Sequence, residues 1–533
     1  MRRVRVWAQL LVLAALSCAL CACLSPMRRV APGTLRVAQD TDMSSMDVAR
    51  TSADYQIPIN VFDRLFETRM VDGEAALVNS LCTDYTVSDD GLTYNFTLRD
   101  GVLFSNGDPL TSADVKYSFE RLLAIAQANT DISLEIKGGQ AMLDGEASEL
   151  EGFVIQDDTH FSITLEGPNA GFTAELSSPA MSIVNAKTTR VAQNFGIDPA
   201  ETIGSGPYKV MEWVTNDHTT LEYNENYWGE EPSVKRCVIY IIPDASTRDL
   251  MFQNGELDLL DLESIDTVLV EKSYKVDHAD KIVSTPNVGE TFIILNERNT
   301  YLKDANVRKA INMAIDVDSI IASIYGGAAR HERGIIPTGV WGHNDELEGF
   351  RYDVEQARKI LADAGYSDGE IHFELLQSSE ADSNIQLVYQ AVSHDLSAIG
   401  IDAQIKIVDD SAYYDIRGKG EADAYIAYWL MDYNDPANIM SVYFGGLEAS
   451  ASRSFFYSDE QVMDGVAHAR FIVDDDERKA TYQELERKIV MEDVAWLPLV
   501  ESEHLFCLGE RVKVFIPHWA GFSAFYMADV VLE

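Results

Sequence analysis

Hydrophobic and polar positions change from alternation to helical spacing and back along this chain. Residues 33–38 follow Pro32 with β-forming types and predict a strand. Two more strands are expected at 84–87 and 93–98, joined by a turn at Asp90-Gly91, and the second alternates like a half-buried edge strand. Residues 57–66 have helical spacing. Strands and helices therefore alternate, without internal repeats or low-complexity tracts.

A helix start is the most informative local pattern. Thr111 is an N-cap candidate, and Asp114 follows three residues later as in a capping box. The apolar residues after it have helical spacing: Val115, Phe119 and Leu122. Pro109 and an Asn106-Gly107 turn precede it. Together these residues predict a strand, a tight turn and a capped helix.

Two later segments extend the pattern. Residues 424–430 are apolar and β-rich, so they predict a strand, which the polar cluster ending in Pro436 terminates. One helical stripe is assigned to the core rather than to a site: Ala310, Ile311, Ala314 and Ile315.

The N-terminus is typical of an export signal. Arg2, Arg3 and Arg5 precede an apolar run over residues 6–20, which is shorter than the ~20 residues of a membrane-spanning helix. Leu20-Cys21-Ala22-Cys23 resembles the bacterial lipobox, which implies cleavage before a lipid-modified Cys23. Cys18 and Cys21 fit that pattern less well. An ordinary signal peptide that happens to contain cysteines is the alternative.

Composition narrows the function classes. A net charge of −44 argues against nucleic acid as a partner, because phosphate binding requires basic patches. The length of 533 residues allows roughly three domains. Cys82, Cys237 and Cys507 remain after the export signal, and an odd number at wide spacing favours buried thiols over a disulfide framework. One bridge between two of them is the alternative.

A dense stretch of residues resembles the signature of the family-5 solute-binding proteins, the oligopeptide, dipeptide and nickel binders of ABC importers. It runs Phe96-Thr97-Leu98-Arg99-Asp100-Gly101-Val102, then Phe104, Asn106-Gly107, Pro109-Leu110-Thr111 and Ala113-Asp114-Val115. The resemblance is closest to the oligopeptide branch and continues in order through Gly204-Ser205-Gly206-Pro207-Tyr208, Asn226-Tyr227-Trp228-Gly229, Asn254-Gly255-Glu256-Leu257-Asp258, Val307-Arg308, Ala364-Gly365-Tyr366, Ile399-Gly400-Ile401 and Trp496-Leu497-Pro498-Leu499. It departs at Asp47-Val48, where the family often has Asp-Pro.

This resemblance implies an α/β, periplasmic-binding-protein-like bilobal fold of the large three-domain type, with two lobes joined by a hinge and an inserted subdomain. Residues 24–76, 193–283 and 491–533 are expected to form lobe I, and residues 289–490 lobe II. Residues 77–190 would form the insert. Ligand would close the hinge by touching both lobes, and the closed form would be recognised by the permease.

The resemblance also implies a ligand site at the end of the strand over residues 424–430. The family's peptide binders use the aspartate that matches Asp432 to pair with the ligand's α-amino group, and a carboxylate is a directed, charge-assisted acceptor for an ammonium. Trp429 and Tyr433, on either side of it, are expected to contact the ligand as well. Without the resemblance, Asp432 would be interpreted as an acid that caps local backbone.

Other site residues follow from the same resemblance. Arg417, after Tyr413 and Tyr414, resembles a basic residue that meets a peptide's carboxylate, with a solvated helix-face arginine as the alternative. Asn384 and Ile426 occupy the other basic positions of that set, so ligand length is left open. Residues 42–44, with Asp42 and Ser44, are expected to lend backbone groups to the ligand in the manner of an added strand.

The chain is therefore expected to be a monomeric, lipid-anchored binding protein on the extracytoplasmic side of the cell membrane, where it captures peptides for an ABC permease. It shows no G-x-S-x-G, H-E-x-x-H, Walker or G-x-G-x-x-G motif, and its ten histidines are scattered. No enzymatic activity, cofactor or metal is expected. The alternatives are the same transport role with nickel, haem or an oligosaccharide as ligand, and an extracellular hydrolase.

Overall fold

The computed structural model describes residues 31–533, apart from 53–54, 264, 266–268, 327 and 522–523. The predicted signal peptide and Cys23 lie outside the described residues. No helix within the described part of the chain is both long enough and apolar enough to span a bilayer.

The described strands form one seven-stranded sheet, two four-stranded sheets and two two-stranded sheets. In chain order they are β1 (Thr34–Gln39), β2 (Phe66–Val71), β3 (Glu74–Asn79), β4 (Cys82–Val87), β5 (Thr93–Leu98), β6 (Phe153–Ile155), β7 (His160–Thr164), β8 (Tyr208–Val214), β9 (His218–Tyr223), β10 (Arg236–Ile241), β11 (Leu259–Asp261), β12 (Ile282–Leu295), β13 (Ala329–His331), β14 (His372–Ser378), β15 (Asp402–Val408), β16 (Ala424–Leu430), β17 (Leu497–Leu508), β18 (Val512–Val514) and β19 (Val531–Leu532).

The helices cover the sheets. They are α1 (Pro58–Val61), α2 (Ser112–Ile125), α3 (Asp131–Leu134), α4 (Gly139–Leu143), α5 (Phe172–Glu175), α6 (Ala186–Thr189), α7 (Ala245–Gln253), α8 (Lys275–Asp277), α9 (Ala305–Ala314), α10 (Val317–Ser323), α11 (Val354–Asp363), α12 (Ser383–Ala398), α13 (Asp410–Gly418), α14 (Ala437–Phe444), α15 (Leu447–Ala451), α16 (Glu460–Ala469) and α17 (Asp475–Arg487).

A sheet lies at the centre of each lobe, and the second sheet reaches the first lobe through β11, β12 and β17. The first lobe has the order β1-β10-β9-β8, with β1 and β10 parallel. The second sheet has the order β11-β17-β12-β16-β14-β15, with β13 beside β17. A separate four-stranded sheet, β4-β5-β7-β6, packs on α2 through its own aromatic core.

Two long antiparallel strands, β12 and β17, connect the lobes. Val283 and Phe506 at one end pack into the core that contains Leu35 of the first lobe. Phe292 and Trp496 at the other end belong to the core of the second lobe. The pairing shifts register between Pro286 and Glu290, so the regular ladder is interrupted between the two cores. This interruption is where the strands can bend.

Buried glutamates lie beside that interruption. Glu290 lies directly opposite Glu501 in the paired strands, and both are fully buried together with Glu332 and Glu486. Burial raises the pKa of Glu486 to about 8, and repulsion from Glu332 adds to the effect. Burial and the neighbouring acids likewise raise the pKa of Glu290 and Glu501. At least some of these carboxyls are therefore protonated at neutral pH.

Most predicted elements are confirmed. The strands at 33–38, 84–87, 93–98 and 424–430 are β1, β4, β5 and β16, and the capping box holds the start of α2, where Asp114 accepts a hydrogen bond of 2.9 Å from the N–H of Thr111. Gly107 has φ 85°, as its turn requires. The four-residue helical stripe is buried. The three cysteines are free, buried thiols.

Two local predictions were wrong. The helix expected over residues 57–66 ends at Val61, and β2 begins at Phe66. Every residue from 57 to 66 is buried, so hydrophobic spacing could not distinguish a helical turn from buried extended chain. β5 is not an edge strand, because it lies between β4 and β7. Its alternation reflects one face on the aromatic core and one face toward solvent.

Candidate ligand-binding cleft

A cavity of about 630 Å³ lies between the lobes in the described part of the chain. Its second-lobe wall is formed by residues 430–432, where β16 ends. The first-lobe wall is formed by the end of β1 and by side chains from several loops and α7: Tyr55, Gln56, Arg248, Asp261, Glu263, Phe506 and Phe525. A volume of this size is typical of small-molecule sites, which range over about 300–1,000 Å³.

Asp432 lies in this cleft, exposed to solvent, and the helix that follows orients it. Asn438, on α14, donates from Nδ2 to Asp432 Oδ2 at 3.3 Å. The Oδ1 atom of the same amide accepts hydrogen bonds from the Asp432 N–H at 3.3 Å and from Trp429 Nε1 at 2.9 Å. Pro436 ends the loop and precedes α14. One buried amide therefore connects the tryptophan and the acid.

The surroundings of Asp432 favour its neutral form. Partial burial raises the pKa of Asp432, and repulsion from Asp131 adds to this, while the hydrogen bond from Asn438 opposes it. Burial and the charge of Asp432 also raise the pKa of Tyr55 on the opposite wall. A cation placed between the walls would lower the pKa of both Asp432 and Tyr55.

The first-lobe wall contains a second charged group. His504, buried on β17, contacts Asp261 (Nε2 to Oδ2, 3.2 Å) and Glu263 (Nδ1 to Oε2, 2.8 Å). Burial lowers the pKa of His504, but the two carboxylates outweigh it and raise the value to about 10. The imidazolium therefore neutralises one of the two negative charges. Atoms of the three side chains lie within 4.8 Å of one another, close enough to share a metal ion.

The other residues predicted for the site, all of them described, do not line this cleft. Trp429 is half-buried and packs edge-on against Tyr443 in the second-lobe core. Tyr433 is half-buried beside the start of α14, and burial followed by the charges of Glu175 and Asp435 raises its pKa.

Arg417 and the segment near residue 42 have other neighbours. Arg417 lies on α13 with its guanidinium over the ring of Tyr425, 4.3 Å from the centroid. The Asp42 carboxylate accepts hydrogen bonds from Trp213 Nε1 (3.1 Å) and from the Asn216 N–H (2.7 Å). Ser44 is exposed. Residues 39–41, rather than 42–44, line the cleft.

Sequence reasoning missed the first-lobe wall. Arg248 follows an N-cap, Asp244, whose side chain accepts from the Thr247 N–H, and this signal predicts a helix but no ligand contact. Asp261 and Glu263 belong to an alternating Leu-Asp-Leu-Glu run at the end of β11. Acids at a strand end were a usable signal, as they were for Asp432.

Beyond the cleft, the second lobe also contacts the region of the small sheet. Arg470 forms an ion pair with Glu135, and its carbonyl accepts from the Ala170 N–H at 2.7 Å. Arg478 and Asp435 form a buried bidentate pair at 2.6 and 2.7 Å, next to Gly171. These contacts hold the second lobe against the region of the sheet β4-β5-β7-β6.

Comparison with known proteins decides the family. A model described as "Bacterial extracellular solute-binding proteins, family 5 Middle" matches residues 76–451, well over half of the chain. The chain belongs to this family. Among curated relatives, this family-5 protein is 27% identical over 494 residues to the probable D,D-dipeptide-binding periplasmic protein of Escherichia coli K12, covering 90% of this chain and 91% of the relative. It is 28% identical to heme-binding protein A of Haemophilus influenzae, covering 88% and 87%.

A solved structure supports the same assignment. An ABC transporter-associated periplasmic binding protein from Helicobacter pylori, in complex with the peptide STSA, superposes with a TM-score of 0.73 at 27% identity, covering 94% of this chain and 98% of that one. The bilobal fold of the periplasmic binding proteins is thereby confirmed.

Proposed function

We propose that this family-5 protein captures short peptides by their free amino end and delivers them to the permease of an ABC importer. The observation that carries the proposal is Asp432, a carboxylate at the end of β16 that faces the interlobe cleft and is oriented by Asn438. An α-ammonium would give this acid the cationic partner that it lacks within 4 Å among the described side chains. The peptide complex of the Helicobacter relative supports the ligand class.

Closure of the hinge would couple capture to delivery. A ligand held on Asp432 and on the first-lobe wall contacts both lobes, and this differential contact is what favours the closed form. Bending at the register shift between Pro286 and Glu290 provides the hinge. We propose the same lobe and insert boundaries that the sequence predicts.

Lipid anchoring through Cys23 is also proposed, on the strength of the lipobox-like sequence that precedes it. The test is metabolic labelling of expressing bacteria with an alkyne fatty acid. Label should appear in the wild-type protein and be lost in Cys23→Ser. Label retained in Cys23→Ser would refute the assignment, and Cys21→Ser is the matched control.

A second candidate is the same transport role with a metal or haem ligand. The group formed by Asp261, Glu263 and His504 favours it, as does the similarity to the Haemophilus heme-binding protein. Protonated His504 cannot serve as a metal ligand, because an imidazolium has no lone pair to donate.

The deciding experiment is native mass spectrometry of protein purified without a refolding step, combined with calorimetric titration of di- and tripeptides. Co-purified peptides and saturable peptide binding are expected. Bound haem or metal, together with no heat on addition of any peptide, would overturn the proposal in favour of the second candidate.

A further inference from the structure

The second lobe contacts the rest of the protein at a second place, outside the ligand cleft, and we name this contact the seam. The sheet β4-β5-β7-β6 and the strand β3 lie on one side of it, and the second lobe lies on the other. The seam is formed by Ala75, Glu135 and Gly171 on the first side and by Asn434, Asp435 and Arg470 on the second. All six are described residues, and none of them lines the cleft.

The two sides of the seam belong to different lobes. The sheet β4-β5-β7-β6 shares one buried core with Leu65 and Phe66 of the first lobe. Arg121 on α2 also donates two hydrogen bonds of 2.6 Å to Asp47, which fixes this sheet and its helix to the first lobe. Helices α16 and α17 pack in the core of the second lobe. A rotation of the lobes at the register shift in β12 and β17 therefore changes the distances across the seam.

Arg470 supplies the charge that crosses the seam. Its guanidinium pairs with Glu135 and lies 3.9 Å from Oε1 of Glu175. The amide of Asn169 donates to both acids, at 2.7 Å to Glu135 and at 2.9 Å to Glu175, so two carboxyl groups are held side by side. Glu175 is only 2% exposed, and no other cation among the described residues lies within 4 Å of it. Separation of the lobes would leave this pair of acids without its cation.

The backbone fits closely across the seam at Gly171. The N–H of the preceding residue, Ala170, donates to the carbonyl of Arg470 at 2.7 Å. A Cβ atom at position 171 would lie 3.1 Å from Oδ2 of Asp435 and 3.1 Å from Nη2 of Arg478, and its three nearest neighbours all belong to the second lobe. Gly171 has φ −81°, which any residue adopts. A larger side chain there would therefore obstruct the contact between the lobes without straining its own backbone.

One loop connects the seam to the ligand cleft. Asp432 lines the cleft, and Asn434 and Asp435 follow it in the loop between β16 and α14. Asn434 donates from Nδ2 to the carbonyl of Ala75 at 3.3 Å, while Asp435 is held by its bidentate pair with Arg478. The acid that faces the ligand and the residues that face the first lobe are thus fixed to the same short segment.

We propose that the seam is a latch that stabilises the closed form, so that residues which do not touch the peptide set its affinity. This inference rests on the proposed function and deepens it. Contacts made across the seam raise the fraction of protein in the closed form, and the apparent affinity for any ligand scales with that fraction. The latch therefore changes the affinity for all peptides by one common factor, and the cleft alone distinguishes one peptide from another.

The test uses two seam variants of the full-length protein, Gly171→Leu and Arg470→Met, each with a matched control. Gly167→Leu is the first control, because a Cβ at that position meets no atom within 4 Å. Arg487→Met is the second, because it removes an exposed second-lobe arginine that pairs with Glu492. Calorimetry measures the affinity for a tripeptide and for its N-acetylated form, and energy transfer between one dye on each lobe measures closure.

Both seam variants should bind the free tripeptide at least ~5-fold more weakly than wild type, the lower end of the range for coupling between two sites. The weaker binding should come from faster dissociation, because the latch acts after the peptide has entered. The ratio of the affinities for the free and the acetylated peptide should stay at the wild-type value. Both controls should match wild type in affinity and in closure.

Wild-type affinity and closure in Gly171→Leu would overturn the inference while the proposed function stands. A changed ratio between free and acetylated peptide would also overturn it, because that is the result of a residue that contacts the ligand. If wild type binds no peptide, the proposed function fails, and the dyes then decide the latch in ligand-free protein: Gly171→Leu must show more widely separated lobes than Gly167→Leu, and equal separation refutes it. Gly171→Ala replaces the leucine variant if thermal unfolding shows that the latter is unfolded.

Discussion

Removing the charge of Asp432 tests the amino-end clamp directly. In Asp432→Asn the side chain keeps its shape and can still meet Asn438, but it no longer attracts an ammonium. Two unit charges about 3 Å apart interact by roughly 5.5 kcal/mol at an effective dielectric of ~20 and by roughly 1.4 kcal/mol in bulk water. Asp432 is open to solvent on one side and partly enclosed on the other, so an intermediate loss is expected.

We therefore expect Asp432→Asn to weaken binding of a free tripeptide by about 2–4 kcal/mol, or roughly 30- to 1,000-fold. Calorimetry should also show that the variant binds the N-acetylated and free peptides equally, whereas wild type prefers the free one. Asp464→Asn removes one exposed acid of the same lobe and controls for net charge. Unchanged affinity in Asp432→Asn, or an equal wild-type response to blocked and free peptides, would show that another group holds the amine.

Three further predictions follow from the charges described above. Peptide affinity should be constant between the raised pKa of Asp432 and about pH 7, where the peptide's amine is still protonated. It should fall as the pH drops through the pKa of Asp432, because the ammonium needs the ionised acid. A titration series in which Asp432→Asn shows the same fall would contradict this. Arg478→Met should lower the unfolding free energy by about 3–5 kcal/mol, because it leaves the Asp435 carboxylate buried and unpaired; a denaturant midpoint equal to that of wild type would refute it. The free energy of unfolding should decrease as the pH rises from about 4 to about 8, because the folded state keeps protons on buried glutamates that the unfolded state releases. In thermal scans, Glu290→Gln should make this pH dependence weaker. A stability that increases over the same pH range would contradict the prediction.

Secondary structure was predicted most accurately from the sequence where one local signal dominated. The Thr111 capping box and the β-rich run before Pro436 both specify backbone geometry over a few residues, and both are confirmed. The segment over residues 57–66 failed because all its faces are buried, which removes the periodicity that separates helix from strand. Local patterns also could not show that β12 and β17 pass through both cores, since that depends on partners hundreds of residues away.

Prediction of the site residues also succeeded for one wall of the cleft and failed for the other. Asp432 was found through a family motif and a strand end, and the structure places it in the cleft. The first-lobe wall was not found, because Arg248, Asp261 and His504 come from separate segments that only the fold brings together.

The two connecting strands also restrict how the protein can move. Because β12 and β17 are hydrogen-bonded to each other on both sides of the shift near Pro286, they cannot swing independently. Opening is then confined to a single rotation, so one pair of spectroscopic labels, one in each lobe, would report the entire trajectory. Dyes on β9 and α12 should accordingly give two discrete transfer efficiencies, one for the open and one for the closed angle between the lobes.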